Sequence, residues 1–113
     1  MTAGEITQAP DGEEVVLGEI GDRVVFENEH IRVWEVLLDP GGEQAWHRHH
    51  HPYLIVPLEP AENRITTLAD GSTRDVSEVI GEVVFRPSGD VHKLNNIGAT
   101  RYRSRLIELK EQS

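Results

Sequence analysis

From Arg23 onward the chain alternates short segments rich in Val, Ile, Leu and aromatics with clusters of Gly, Pro, Asp and Asn. That punctuation, without any sustained helical period, predicts an all-β sandwich or barrel. The predicted strands are Arg23–Glu27, Ile31–Leu38, Ala45–His49, Tyr53–Leu58, Asn63–Ala69, Arg74–Val79, Val83–Arg86, Lys93–Ile97 and Tyr102–Leu109. Three connections carry specific turn chemistry. Asp39-Pro40-Gly41-Gly42 places proline where φ is preset and glycine where φ can turn positive. Asp70-Gly71 reads as a two-residue hairpin, and Arg86-Pro87-Ser88-Gly89 as a type I turn. Trp34, Val36, Phe26 and Phe85 are expected to pack in the core or an interface.

Residues 1–17, rich in Thr, Gly, Pro and acidic side chains, read as a flexible arm, leaving 18–113 as one β-barrel domain. The length of 113 residues fits one domain. A formal charge of -9 argues against a nucleic-acid partner, which would need clustered Lys and Arg. No basic-then-apolar leader and no apolar run of membrane-spanning length stand in the sequence, so a cytoplasmic protein without a membrane partner is expected. The expected partners are a small molecule and a second copy of the chain. With no cysteine, any bound metal must use imidazole or oxygen ligands.

Five of the six histidines fall in the run His47-Arg48-His49-His50-His51 and at His92. If the first run is extended, His47, His49, His51 and Tyr53 share one face, while Arg48 and His50 point the other way. Two imidazoles so spaced can grip a metal ion from one strand, with a third ligand supplied from elsewhere. His92 follows the Pro87–Gly89 turn, and strands closing into a barrel would bring inward residues of both segments together.

These residues resemble the cupins. Their first motif is Gly, five residues, His-x-His, three or four residues, Glu, six residues, Gly; Gly41, His47 and His49 fit its first half. Their second is Gly, five residues, Pro-x-Gly, two residues, His, three residues, Asn, and Gly81, Pro87, Gly89, His92 and Asn96 fit every position. The resemblance spans Ile31 to Leu109. It implies a jelly-roll barrel with His47, His49 and His92 on a divalent transition metal: iron first, with nickel, zinc, manganese and copper as alternatives. Where the first motif has glutamate this chain has Tyr53 or Leu54, and Pro60 or Ala61 replaces its closing glycine. Some small oxygenases among the cupins use such a three-histidine site on iron.

The implied function is a non-haem metal-dependent oxygenase acting on a small molecule that chelates the metal, with Tyr53 and His51 guiding protons. The alternative is a metal-dependent binding or sensor protein in which no bond changes. A sugar isomerase or epimerase fits less well without the glutamate. Some stand-alone cupins with similar His-Arg-His and Tyr segments are associated with amino-acid breakdown, β-alanine included, which does not by itself assign a reaction. Asn96 is expected to pair with backbone, Gly41, Gly81 and Gly89 to form bends, and His50 to be surface. Arg103 and Arg105 either clamp a substrate carboxylate or lie in solvent, since both faces of their strand carry apolar residues. Dimerisation is expected, because an open sheet edge tends to be covered.

Overall fold

A computed structural model describes residues 3–110. They form strands β1 (Ile6–Gln8), β2 (Glu14–Val16), β3 (Arg23–Glu27), β4 (Ile31–Leu38), β5 (Glu43–Arg48), β6 (Tyr53–Glu59), β7 (Glu62–Thr67), β8 (Thr73–Ser77), β9 (Val84–Arg86), β10 (Val91–Asn96) and β11 (Tyr102–Leu109). No helix occurs among the described residues, so none is long and apolar enough to cross a membrane.

All pairings are antiparallel. One sheet runs β5-β10-β7-β8, a second runs β3-β4-β11-β6-β9, and β1 pairs with β2. The two larger sheets face each other as a jelly-roll, but they are not hydrogen-bonded into the closed barrel that the sequence suggested. Closure would require edge strands to pair around the whole circumference; here β8 and β9 remain edges of different sheets.

Alternation along β4 and β11 builds the wall between the sheets. Trp34, Val36 and Leu38 lie opposite Leu106, Ser104 and Tyr102, and all six are buried. Burying each of the larger apolar side chains contributes roughly 2 kcal/mol, so this central strand pair anchors the site wall. The Trp34 indole N–H is satisfied within that wall, donating to the Glu108 carboxylate at 2.6 Å.

The same register settles Arg103 and Arg105, which point to the outer face. There they converge with Arg23 on Glu35, a residue only 3 % exposed. Hydrogen bonds from Arg103 and then Arg23 hold its pKa down to about 2. Neither arginine reaches the interior, which rules out the substrate clamp considered for them. Phe26 and Phe85 also lie outside, 53 % and 57 % exposed, and do not join the core with Trp34 and Val36.

Gly42 N–H donates to Asp39 C=O at 2.7 Å, with Gly41 at φ 80°, the type II geometry that Pro40-Gly41 favours. At Asp70-Gly71 the loop is longer than two residues: Thr67 N–H bonds Ser72 C=O, so Leu68 to Gly71 form the connection. Within the segment read as an arm, β1 and β2 make a hairpin and Leu17 is buried. Its turn, Ala9-Pro10-Asp11-Gly12, is closed by Gly12 N–H to Ala9 C=O. Bonds from Gly18 N–H to Trp46 C=O, from Arg48 to Thr7 Oγ1 and between His50 and Glu5 tie this hairpin to β5 and the residues after it.

Candidate metal centre

Strand register brings the distant histidines together. In the β5–β10 pair His92 lies directly across from His47, and their ring centroids are 4.7 Å apart. His49 sits just past the end of β5, its ring 5.0 Å from His47 and 5.1 Å from His92. Gly89, at φ 117°, donates its N–H to His49 C=O at 2.9 Å, so the second motif's turn is pinned onto the first motif's histidine. One nitrogen from each of the three rings lies within 4.8 Å of the others, the single such His, Asp or Glu grouping among the described residues.

The donor chemistry fits a metal ion. His47 donates Nδ1–H to Ala45 C=O at 2.7 Å, which fixes the tautomer and leaves the Nε2 lone pair free. His49 Nδ1 is buried with no hydrogen-bond partner. Burial depresses the pKa of all three rings, to about 2 for His49 and about 3 for His92, with the neighbouring imidazoles adding to the effect there. All three are therefore neutral near pH 7, the state in which imidazole binds metal.

Tyr53 is buried and stacks on His49, with centroids 3.8 Å apart and planes 16° from parallel. Burial pushes its hydroxyl up to about 12, so it stays protonated. His51 is placed differently from the other residues of the run. Side-chain alternation holds only while the strand continues, and β5 ends at Arg48, with a bend at His50 and His51. His51 does not line the cavity over the histidines. His50 is exposed and bonds Glu5, as a surface residue would.

The cavity has a volume of about 50 Å³ and opens to solvent. Val36, Ile55, Ile65, Leu94 and Leu106 give it apolar walls, and Tyr102 and Ser104 complete the β11 side. Arg74, Glu78 and Arg86 also line it; sequence reasoning did not single out these three. Register was the available signal, because Arg86 pairs with Tyr53 and Arg74 with Ile65, and both partners face inward.

The buried imidazoles make stability depend on pH with a definite sign. Unfolded histidines take up protons near 6.5, whereas His49 and His92 in the fold do so only near 2 and 3. Stability of the metal-free protein is thus full above the unfolded value and falls as pH drops below it, by up to about 1.4 kcal/mol per pH unit for each histidine. Urea melts are expected to show a lower midpoint near pH 5 than near pH 7.5. Equal midpoints would contradict the neutral, buried assignment.

No protein-family profile matches the chain. It is similar to the β-alanine degradation protein BauB of Pseudomonas aeruginosa, with 34 % identity over 76 residues, covering 67 % of this chain and 78 % of the relative. Among solved structures, a cupin domain from Bordetella pertussis superposes with a TM-score of 0.73 at 30 % identity, covering 79 % of this chain and 91 % of that one. A double-stranded β-helix protein from Klebsiella pneumoniae gives a TM-score of 0.60 at 21 % identity, covering 79 % and 82 %. The chain belongs to the cupins.

Proposed function

We propose that this cupin is a metal-dependent oxygenase in which His47, His49 and His92 hold one divalent ion, iron first, and a small chelating molecule is oxidised in the cavity beside it. The observation that carries this reading is the convergence of three neutral imidazoles at a cavity that stays open to solvent. Iron, when bound, would supply Lewis acidity and electron transfer with dioxygen. Three neutral ligands leave the ion's charge unreduced and coordination positions free for substrate. Both atoms of dioxygen end in the product, so the balance needs no external reductant.

The chain's own residues supply the rest. Tyr53 holds its proton and can donate a hydrogen bond to a substrate oxygen at the cavity wall. The proton-guiding role first considered for both residues therefore falls to Tyr53, since His51 lies off the cavity lining. Val36, Ile55 and Leu106 exclude water from the reacting side. The breakdown role in the name of the Pseudomonas relative is in keeping with a small amino-acid-derived substrate. Residues 18–113 would form the working domain, with the N-terminal hairpin as an addition.

Oxygen consumption by the iron-loaded protein, measured over a panel of small dicarbonyl and thiol acids, tests this reading. Uptake matched by loss of one panel member is expected. A compound that binds and is recovered unchanged after long exposure to oxygen would favour the carrier or sensor reading instead.

We also propose a homodimer through the outer face of the five-stranded sheet. Register aligns Phe26, Val33, Ile107, Leu54 and Phe85 as one apolar row across all five strands, and its two end phenylalanines are largely exposed. Ile107→Asp, at the centre of the row, is expected to yield monomer by sedimentation. A wild-type monomer, or a variant that sediments as the wild type does, would contradict this interface.

A further inference from the structure

Two arginines differ from the other lysines and arginines among the described residues. Each other lysine and arginine among the described residues reaches a carboxylate, or in the case of Arg48 a hydroxyl. Arg74 and Arg86 make no side-chain hydrogen bond and no ion pair within this structure, and both line the cavity that holds the histidines. They come from opposite sheets. Arg74, exposed, lies on edge strand β8 and Arg86, half-buried, on edge strand β9, so the two residues line one space from its two sheets.

In a chain of charge -9 with 20 acidic residues, a guanidinium finds a carboxylate easily. Glu78 lines the same cavity and feels the charge of both arginines, yet it forms no ion pair with them and accepts a hydrogen bond from Asn63 Nδ2 at 3.5 Å. Asp90 lines the adjoining cleft with Arg74 without pairing to it. Two unpaired guanidinium groups facing a shared cavity are a standing site for an anion, because the planar fork of donors matches a carboxylate. Resting on the function proposed above, we infer that Arg74 and Arg86 clamp the carboxylate of the substrate, which is a short-chain carboxylic acid whose second donor group reaches the histidine cluster. The apolar walls at Ile55, Ile65 and Leu94 suit the carbon chain between the two ends. A hydrated inorganic anion would gain nothing from them.

Calorimetry with zinc-loaded protein separates binding from turnover. The probes are pyruvate, 3-hydroxypropionate and 3-mercaptopropionate, each paired with its primary amide, with inorganic phosphate as a further arm. At least one acid is expected to bind about tenfold or more tightly than its amide, since the charge-assisted bonds are lost in the amide. Arg74→Gln and Arg86→Gln should each weaken that acid about tenfold, and the double variant should abolish its binding. Metal content by elemental analysis should not change, and melting temperatures should stay within about 3 °C, because neither side chain supports the fold.

The inference is overturned if no acid binds, if acids and amides bind alike, if phosphate binds as tightly as the best acid, or if the double variant binds like the wild type. Should the wild type take up no metal, the function proposed above fails. The clamp is then judged by thermal shift of the metal-free protein, where stabilisation by an acid that vanishes in the double variant supports it and no stabilisation refutes it.

Discussion

Replacing His92 with alanine is expected to weaken divalent-metal binding by at least about 100-fold, more than the loss of an outer partner usually costs. His92 sits across the sheet from His47 and contributes one of the three clustered nitrogens. Without it, two imidazoles from one segment remain, and a two-ligand site cannot hold an ion against water and buffer. The fold should persist, because the ring is no part of the apolar core built on Trp34, Val36 and Leu106. Elemental analysis after dialysis against free metal checks the loss, with the melting curve of the metal-free variant as the control. Undiminished metal content in a folded variant would show that the ion sits elsewhere.

The second large effect concerns stability. Asn96→Leu is expected to cost about 3 kcal/mol or more, because a side chain of similar size cannot replace its hydrogen bonds. Asn96 is 2 % exposed. Its Nδ2 donates to Leu38 C=O at 3.0 Å and Thr100 C=O at 2.8 Å, and its Oδ1 accepts from Gly98 N–H at 3.0 Å. Its backbone accepts from Gly41 and donates to Gly42, holding the turn that leads into β5. Leucine would remove the partner of the Gly98 donor and the amide bonds to the buried Leu38 carbonyl and the part-buried Thr100 carbonyl. The melting temperature should fall by on the order of 15 °C for a domain of this size. A fall of less than about 4 °C, near 1 kcal/mol, would show that these bonds contribute little.

Much of this architecture is legible in the sequence where local pattern and long-range pairing agree. Strands β3, β4 and β11 have the bounds that alternation and turn residues predict; in β4 and β11 the pattern coincides with a buried face. Agreement weakens where polar residues carry the ladder. Strand β5 begins at Glu43 rather than Ala45 and stops at Arg48, since Glu43 and Gln44 pair with Asn95 and Leu94 whatever their polarity. The bend at His50 and His51 is what takes His51 off the face of His47. The N-terminal hairpin is masked in the sequence by acidic composition, which outweighs its Pro10-Asp11-Gly12 turn.

The site divides in the same way. His47, His49 and His92 are marked by spacing, and their convergence follows from register. Which way Arg103 and Arg105 point could not be read from a strand apolar on both faces; the buried Glu35 that draws them outward lies in a different strand. Likewise, a sequence carries no sign that Arg74 and Arg86 lack partners, since pairing is decided by side chains distant along the chain.

Central to the account is that imidazoles from two separate stretches share one cation. X-ray absorption on protein loaded with one equivalent of iron(II) or nickel(II) addresses this directly, by counting histidine ligands through their multiple-scattering signature. The account predicts about three imidazoles per ion in the wild type and about two in His92→Ala, if that variant retains any metal at high loading. A wild-type spectrum of oxygen ligands with one imidazole or none would contradict it.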